Sequence, residues 1–136
     1  MKIRFKISIE LYNSTLFFNF PPFKSVILNY HALKEPDMET FNDIITGDKP
    51  VLVDFYATWC GPCKAMSPVI DSLAEELHGT ARILKIDIDK NRTAAEHFHV
   101  QAVPTLMIFK RGEVVWRNSG AMDKMSLLTQ LRAYID

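Results

Sequence analysis

The chain has 136 residues, 48 % of them apolar, which suits one domain whose core needs no covalent support. Its 16 lysines and arginines balance 16 aspartates and glutamates, so no overall field attracts nucleic acid or an anionic membrane surface. No stretch approaches the ~18 uninterrupted apolar residues of a membrane-spanning helix, so we expect neither nucleic acid nor membrane as a partner.

The first 35 residues differ in composition from the rest. Residues 1–35 contain no Gly or Asp and carry five basic against two acidic residues, a net charge of +3, which leaves −3 for residues 36–136. Apolar and polar residues alternate over 3–11, which favours an amphipathic strand. We expect residues 1–35 to be an N-terminal extension and 36–136 to be one domain.

The status of this extension stays open between several alternatives. Its basic start and apolar residues are similar to an export signal, but Glu10 and Pro21-Pro22 interrupt the apolar run and no small-residue cleavage site follows. Residues 25–30 could supply an edge strand instead, or translation could begin at Met38. Because no credible export signal is found, we expect a cytoplasmic protein.

Beyond residue 37 the hydrophobic periodicity predicts eight elements in the order α β α β α β β α. The predicted strands are 51–57, 82–88, 105–109 and 113–117; the predicted helices are 37–47, capped by Asp37, then 60–78, 92–98 and a closing helix capped by Asp123, with Met125, Leu128, Leu131 and Ile135 as its apolar face. Pro68 should kink the second helix. Alternation that ends in a hairpin at Arg111-Gly112 predicts an α/β fold with a central mixed sheet and helices on both faces.

Cys60 and Cys63 are the only cysteines of the chain. A disulfide that closes so short a loop adds little stability in the chain-entropy picture, which argues against a structural staple. A structural zinc needs about four ligands, and the histidines lack metal-site spacing, so we expect no metal. These histidines are His31, His78, His97 and His99. A redox pair is the remaining interpretation.

The spacing of the two cysteines suits redox chemistry. Cys60 directly follows a predicted buried strand and opens a helix, where unpaired N–H groups and the helix dipole favour a thiolate. Cys63 lies one turn further, close enough to attack a mixed disulfide on Cys60. Gly61 permits the tight turn, and Pro62 fits the first turn, where its missing N–H costs nothing. A C-x-x-C pair between a strand and a helix is typical of a thiol redox centre.

The stretch 59–64, WCGPCK, resembles the active-site motif of the thioredoxin family residue for residue, and the resemblance covers about 38–136. It implies the thioredoxin fold and a protein-disulfide reductase, an electron carrier in which Cys60 attacks and Cys63 resolves. It also implies recharging by a thioredoxin reductase, ultimately from NADPH, with no bound cofactor. Ribonucleotide reductase and peroxiredoxins are the kinds of target that it suggests. Nothing in the sequence demands a dimer, so we expect a monomer.

Two charged residues match further catalytic positions of the family. Asp54 matches the buried acid that thioredoxins place beneath the second cysteine, and Lys85 matches the lysine set near this acid. A carboxyl group in an apolar strand should have a raised pKa, because burial disfavours its charged form. Such a group can accept a proton from Cys63.

Three segments match the family's docking surface for substrates. Val103-Pro104 resembles the loop in which thioredoxins hold a cis proline, whose backbone pairs with an extended substrate segment. Gly120-Ala121 resembles a third loop of that surface. Trp59 and Pro62, with Gly61 between the cysteines, complete a rim around the sulfurs. Tyr56 departs from the family, since many thioredoxins have tryptophan there.

Two alternatives of other kinds remain. The same fold can serve in an exported compartment as an oxidant, an isomerase or a cytochrome-maturation reductant. Pro62 argues against the first two roles, since those relatives generally carry histidine before the second cysteine. The other alternative is a non-catalytic binding subunit with an idle dithiol, which would keep its function after both cysteines were replaced by serine.

Overall fold

The structure is a computed structural model that describes residues 40–136. It contains the eight elements in the predicted order: α1 (Phe41–Ile45), β1 (Val51–Tyr56), α2 (Gly61–Glu76), β2 (Arg82–Asp87), α3 (Arg92–His97), β3 (Thr105–Lys110), β4 (Glu113–Ser119) and α4 (Lys124–Arg132). The expectations for residues 1–35, and the boundary that separates them from the domain, lie outside the described residues and stay predictions.

The four strands form the predicted mixed sheet, in the order β2-β1-β3-β4. β1 pairs in parallel with β2 and antiparallel with β3, and β3 and β4 form an antiparallel hairpin. Arg111 and Gly112 connect β3 to β4 with φ values of 51° and 86°. Two consecutive residues in the left-handed region suit a tight two-residue hairpin turn, because its twist matches that of the strands.

Helices cover both faces of the sheet, as predicted. On one face Phe41 of α1 packs edge-on against Phe98 and Phe109, with ring centroids 5.6 and 5.7 Å away. On the other face, Leu52 of β1 packs in one apolar cluster with residues of α2 and α4. Because alternate strand residues share a face, Asp54 lies on the same side as Leu52, beneath α2.

The predicted start of α1 is wrong. The N-cap is Thr40 rather than Asp37: the Thr40 hydroxyl accepts the Asp43 N–H at 3.2 Å, and the Asp43 carboxylate accepts the Thr40 N–H at 3.0 Å. This reciprocal capping box satisfies two unpaired donors at once, so the helix begins at Phe41.

α2 runs without interruption through Pro68 and ends at Glu76, with Gly79 at φ 83° two residues beyond its C-cap. A kink at Pro68 stays a prediction. Neither α2 nor any other helix in the part of the chain from residue 40 onward is long and apolar enough to cross a membrane.

The predicted apolar face of α4 is partly wrong. Leu128 and Leu131 are buried as expected, but Leu127 is buried in place of Met125, which is 69 % exposed. Successive residues of an α-helix are about 100° apart around its axis. Around that axis, Met125 lies about 110° from the middle of the face formed by the three leucines. Ile135 packs on the same cluster from beyond the helix end.

This correction predicts different stabilities for two variants of α4. Leu131→Ala should lower the free energy of unfolding by about 3 kcal/mol, because it leaves a cavity at a fully buried site. Met125→Ala should change it by less than about 0.5 kcal/mol. Urea denaturation of both variants measures the difference. Equal losses would show that Met125 belongs to the packed face after all.

Candidate active site

Cys60 and Cys63 form a disulfide at the N-terminus of α2, with their Cα atoms 5.3 Å apart. Cys60 is the N-cap of the helix, and the Cys63 N–H points at its sulfur, with 3.1 Å between N and Sγ. Pro62 lies in the first turn, where no N–H donor is required. When the disulfide opens, this N–H and the helix dipole stabilise a negative charge on Cys60.

One further loop contacts the disulfide, and a hydrogen bond joins a second loop to it. The Val103–Pro104 peptide bond is cis, and the carbonyl oxygen of Val103 lies 3.6 Å from the sulfur of Cys60. The Gly120 N–H donates a hydrogen bond to the carbonyl oxygen of Pro104 at 2.8 Å. The fold therefore brings Cys60, Val103-Pro104 and Gly120 together, although they are far apart in the chain.

The surface around the disulfide is largely exposed. Trp59 is 67 % exposed, and Gly61, Pro62 and Ala121 are exposed as well. The sulfurs beneath are not, since Cys60 and Cys63 retain only 4 % and 5 % exposure. The rim is therefore exposed while the sulfurs below it are almost fully buried.

Asp89 contributes to the rim, although no sequence motif marks it. Its carboxylate accepts a hydrogen bond from the indole N–H of Trp59 at 2.9 Å, which restrains the exposed ring. The predicted order of the strands could have indicated this contact. β1 and β2 are parallel, so Trp59 and Asp89, which follow them, lie at the same edge of the sheet.

Asp54 is fully buried in the middle of β1, between Lys85 of β2 and Leu106 of β3. Neither of its carboxylate oxygens accepts a hydrogen bond from any residue between 40 and 136. Burial raises the pKa of Asp54 to about 6, against an opposing effect of the Lys85 charge, which lowers it. A carboxyl group with this pKa can gain or lose a proton near neutral pH.

The ammonium of Lys85 contacts other groups than the Asp54 carboxylate. It donates a hydrogen bond to the hydroxyl of Ser67 on α2 at 2.9 Å, and it lies 5.1 Å from the centre of the Tyr56 ring. Ser67 was not predicted, but its position four residues after Cys63 places both on the same side of α2.

Met66 links the helix of the cysteines to the loop after β4. The Met122 N–H points at the sulfur of Met66, at an N–S distance of 3.2 Å. Met122 directly follows Gly120-Ala121, so α2 helps to fix the third loop. No sequence pattern indicates such a contact, because a thioether is only a weak acceptor.

A cysteine pair that follows the central strand of a mixed sheet and opens a helix is the site of a thiol–disulfide oxidoreductase. Comparison with known proteins agrees with this class. The thioredoxin family model matches residues 32–133. A thioredoxin of Porphyra purpurea is 47 % identical over 93 residues, which are 68 % of this chain and 87 % of the relative.

Two more relatives extend the comparison. A bifunctional thioredoxin reductase/thioredoxin of Mycobacterium leprae is 43 % identical over 100 residues, 74 % of this chain but 22 % of that protein. The solved structure of a mutant thioredoxin from Halobacterium salinarum NRC-1 superposes with a TM-score of 0.65 at 39 % identity. The superposition covers 70 % of this chain and 82 % of the Halobacterium chain.

The chain belongs to the thioredoxin family. Members of this family are protein-disulfide oxidoreductases, and the Cys60–Cys63 pair lies at disulfide distance. The protein therefore carries out dithiol–disulfide exchange.

The buried carboxyl group predicts a pH-dependent stability difference between the protein and its Asp54→Asn variant, both oxidised. The pKa of Asp54 is raised from 3.8 to about 6 in the fold, so its contribution is most favourable below pH ~4 and is lost as pH rises through ~6. At 1.36 kcal/mol per unit, the variant should gain about 3 kcal/mol relative to the parent between pH ~4 and pH ~8.

Denaturant unfolding at a series of pH values checks this prediction. The variant also loses any pH-independent contribution of the carboxyl group, so the change with pH is the relevant quantity. A stability difference that stayed constant from pH ~4 to pH ~8 would contradict the raised pKa.

Proposed function

We propose that this protein reduces protein disulfides, with Cys60 as the attacking and Cys63 as the resolving cysteine. The observation that carries the proposal is the position of Cys60: its sulfur faces the Cys63 N–H at the N-terminus of α2 and the Val103 carbonyl of a neighbouring loop. The helix N-terminus favours the thiolate, which is the species that attacks a disulfide.

The reaction consists of two exchanges. The Cys60 thiolate attacks one sulfur of the target disulfide, so that a Cys60–target disulfide forms and the second target sulfur leaves as a thiolate. Cys63 then loses its proton and attacks the Cys60 sulfur, which forms the Cys60–Cys63 disulfide and releases the first target sulfur. The target gains two electrons and, from solvent and the site, two protons.

Asp54 is the proposed acceptor of the Cys63 proton. Its position under α2 and its pKa of about 6 support this role, since a base works best with a pKa near the working pH. Lys85 modulates Asp54 through its charge, which lowers the pKa of the carboxyl group. Once the exchange is complete, Asp54 returns the proton to solvent.

The proposed docking surface consists of the three segments around the disulfide. The target lies as an extended segment along the backbone of Val103-Pro104, in a strand-like pairing, and Gly120-Ala121 borders it. The contacts of Val103 with Cys60 and of Gly120 with Pro104 support this arrangement. The rim of Trp59, Gly61 and Pro62 completes it.

We further propose that a thioredoxin reductase returns the pair to the dithiol form, with electrons from NADPH. The Mycobacterium leprae relative, named for both activities, supports such a partnership. We also propose that the protein is a monomer, that it is cytoplasmic and that it does not bind nucleic acid. Its balanced charge of 16 basic and 16 acidic residues agrees with the last point.

Single-cysteine variants test the assignment of the two cysteines. Cys63→Ser should accumulate a covalent complex with a disulfide-containing target such as insulin, because Cys60 attacks but nothing resolves the product. Cys60→Ser is the matched control and should accumulate none. Non-reducing electrophoresis after thiol blocking measures both. A complex that formed only with Cys60→Ser would reverse the assignment.

The direction of the reaction follows from the reduction potential of the Cys60–Cys63 couple. Thioredoxin itself has a potential of about −270 mV, and we expect a value close to this reference. Equilibration with defined thiol buffers measures it. A potential between about −120 and −180 mV, the range of oxidants and isomerases, would contradict the reductase and favour an exported oxidant or isomerase.

A further inference from the structure

The ammonium of Lys85 is held by groups from two different elements. Ser67 of α2 accepts its hydrogen bond at 2.9 Å, and the ring of Tyr56 of β1 lies 5.1 Å from it. The hydrogen bond fixes the ammonium toward the helix, and the electron-rich face of the ring adds a cation–π attraction.

Lys85 is also the strand neighbour of Asp54. The two residues are paired across β1 and β2, so their side chains leave the sheet on the same face and within reach of each other. Even so, neither oxygen of the buried Asp54 carboxylate accepts a hydrogen bond from Lys85. An ammonium that could form an ion pair is therefore engaged elsewhere.

We propose that Ser67 is a positioning residue whose hydroxyl, together with the Tyr56 ring, holds the Lys85 ammonium out of direct contact with the Asp54 carboxyl group. The inference rests on the proposed role of Asp54 as proton acceptor. A contact ion pair would stabilise the carboxylate and make it a weaker base for Cys63. At the observed position the charge of Lys85 moderates the base without neutralising it.

Other charged groups near this face do not account for the arrangement. On α2, Lys64 and Asp71 lie about one turn on either side of Ser67. On β2, the Asp87 carboxylate accepts hydrogen bonds from the backbone N–H groups of Asp89 and Lys90, in the turn that follows the strand. β3 presents the apolar Leu106 opposite Asp54. The charge of Lys85 is the one that lowers the pKa of Asp54.

The test compares Ser67→Ala, which removes the hydroxyl group, with Ser67→Thr, which keeps it. In Ser67→Ala the ammonium should swing onto Asp54 and lower its pKa by about one unit, since an opposite charge in contact lowers a carboxyl pKa by about 1–3 units. Carbon-13 NMR of the carboxyl group in the oxidised protein follows this titration. Ser67→Thr should titrate like the parent.

Stopped-flow reaction of the reduced protein with a chromophoric aromatic disulfide gives the kinetic readout. The first thiol released reports the attack by Cys60, and the second reports resolution by Cys63. In Ser67→Ala the second release should slow roughly threefold at pH ~7, because a weaker base takes the proton less readily. The first release should not change.

Lys85→Met provides the matched control. If Ser67 acts through the lysine, then Ser67→Ala should have no effect on the Asp54 titration in the Lys85→Met background. An unchanged or raised pKa of Asp54 in Ser67→Ala would overturn the proposal. A rise would mean that Ser67 holds the ammonium close to the carboxyl group rather than away from it.

Failure of the proposed function would be recognised separately. If Asp54→Asn released the second thiol as fast as the parent, then Asp54 would not be the base. The NMR titration would still decide whether Ser67 controls the distance between Lys85 and Asp54.

Discussion

A carboxyl group in the middle of the sheet, with no hydrogen-bond partner among residues 40–136, is the constraint on which this structure depends. Asp54 is fully buried in β1, where a buried polar group without a partner costs about 1–3 kcal/mol. The fold tolerates this cost because β1 is paired on both sides and packed by helices on both faces. The same burial gives the group a pKa near neutrality, which an exposed aspartate would not have.

The two halves of the sheet position different parts of the redox site. The parallel half, β1 and β2, delivers Cys60 to the start of a helix and places the Asp54–Lys85 pair beneath that helix. The antiparallel half, β3 and β4, delivers the Val103-Pro104 loop, which contacts Cys60, and the Gly120 loop, which a hydrogen bond joins to Pro104. Cys60 lies where the two halves meet.

The features that could be predicted from the sequence either repeat with a fixed period or involve residues that are close together in the chain. Element order, the mixed sheet and the cysteine pair all follow from apolar spacing and short-range motifs, and the structure agrees with them. What escaped prediction was decided by packing or by long-range contacts. The Ser67–Lys85, Trp59–Asp89 and Met66–Met122 contacts join residues 18, 30 and 56 positions apart, and no local pattern marks them. The cap at Thr40 is an exception, because Thr40 and Asp43 are three residues apart and their T-x-x-D spacing is a local capping-box signal. The exposure of Met125 depends on how α4 meets the sheet.

The contacts of Lys85 show why the position of a charge matters as much as its presence. Electrostatic energy falls with distance, so an ammonium held by Ser67 acts on Asp54 less strongly than one in direct contact. Direct contact would bring the pKa of the carboxyl group back toward its ordinary value and remove the property that burial creates. Loss of the charge would leave only the desolvation effect, and the pKa would rise further above 6. In the proposed mechanism, the Ser67 hydroxyl on the neighbouring helix keeps the pKa of Asp54 between these two extremes, without any change in the charged residues themselves.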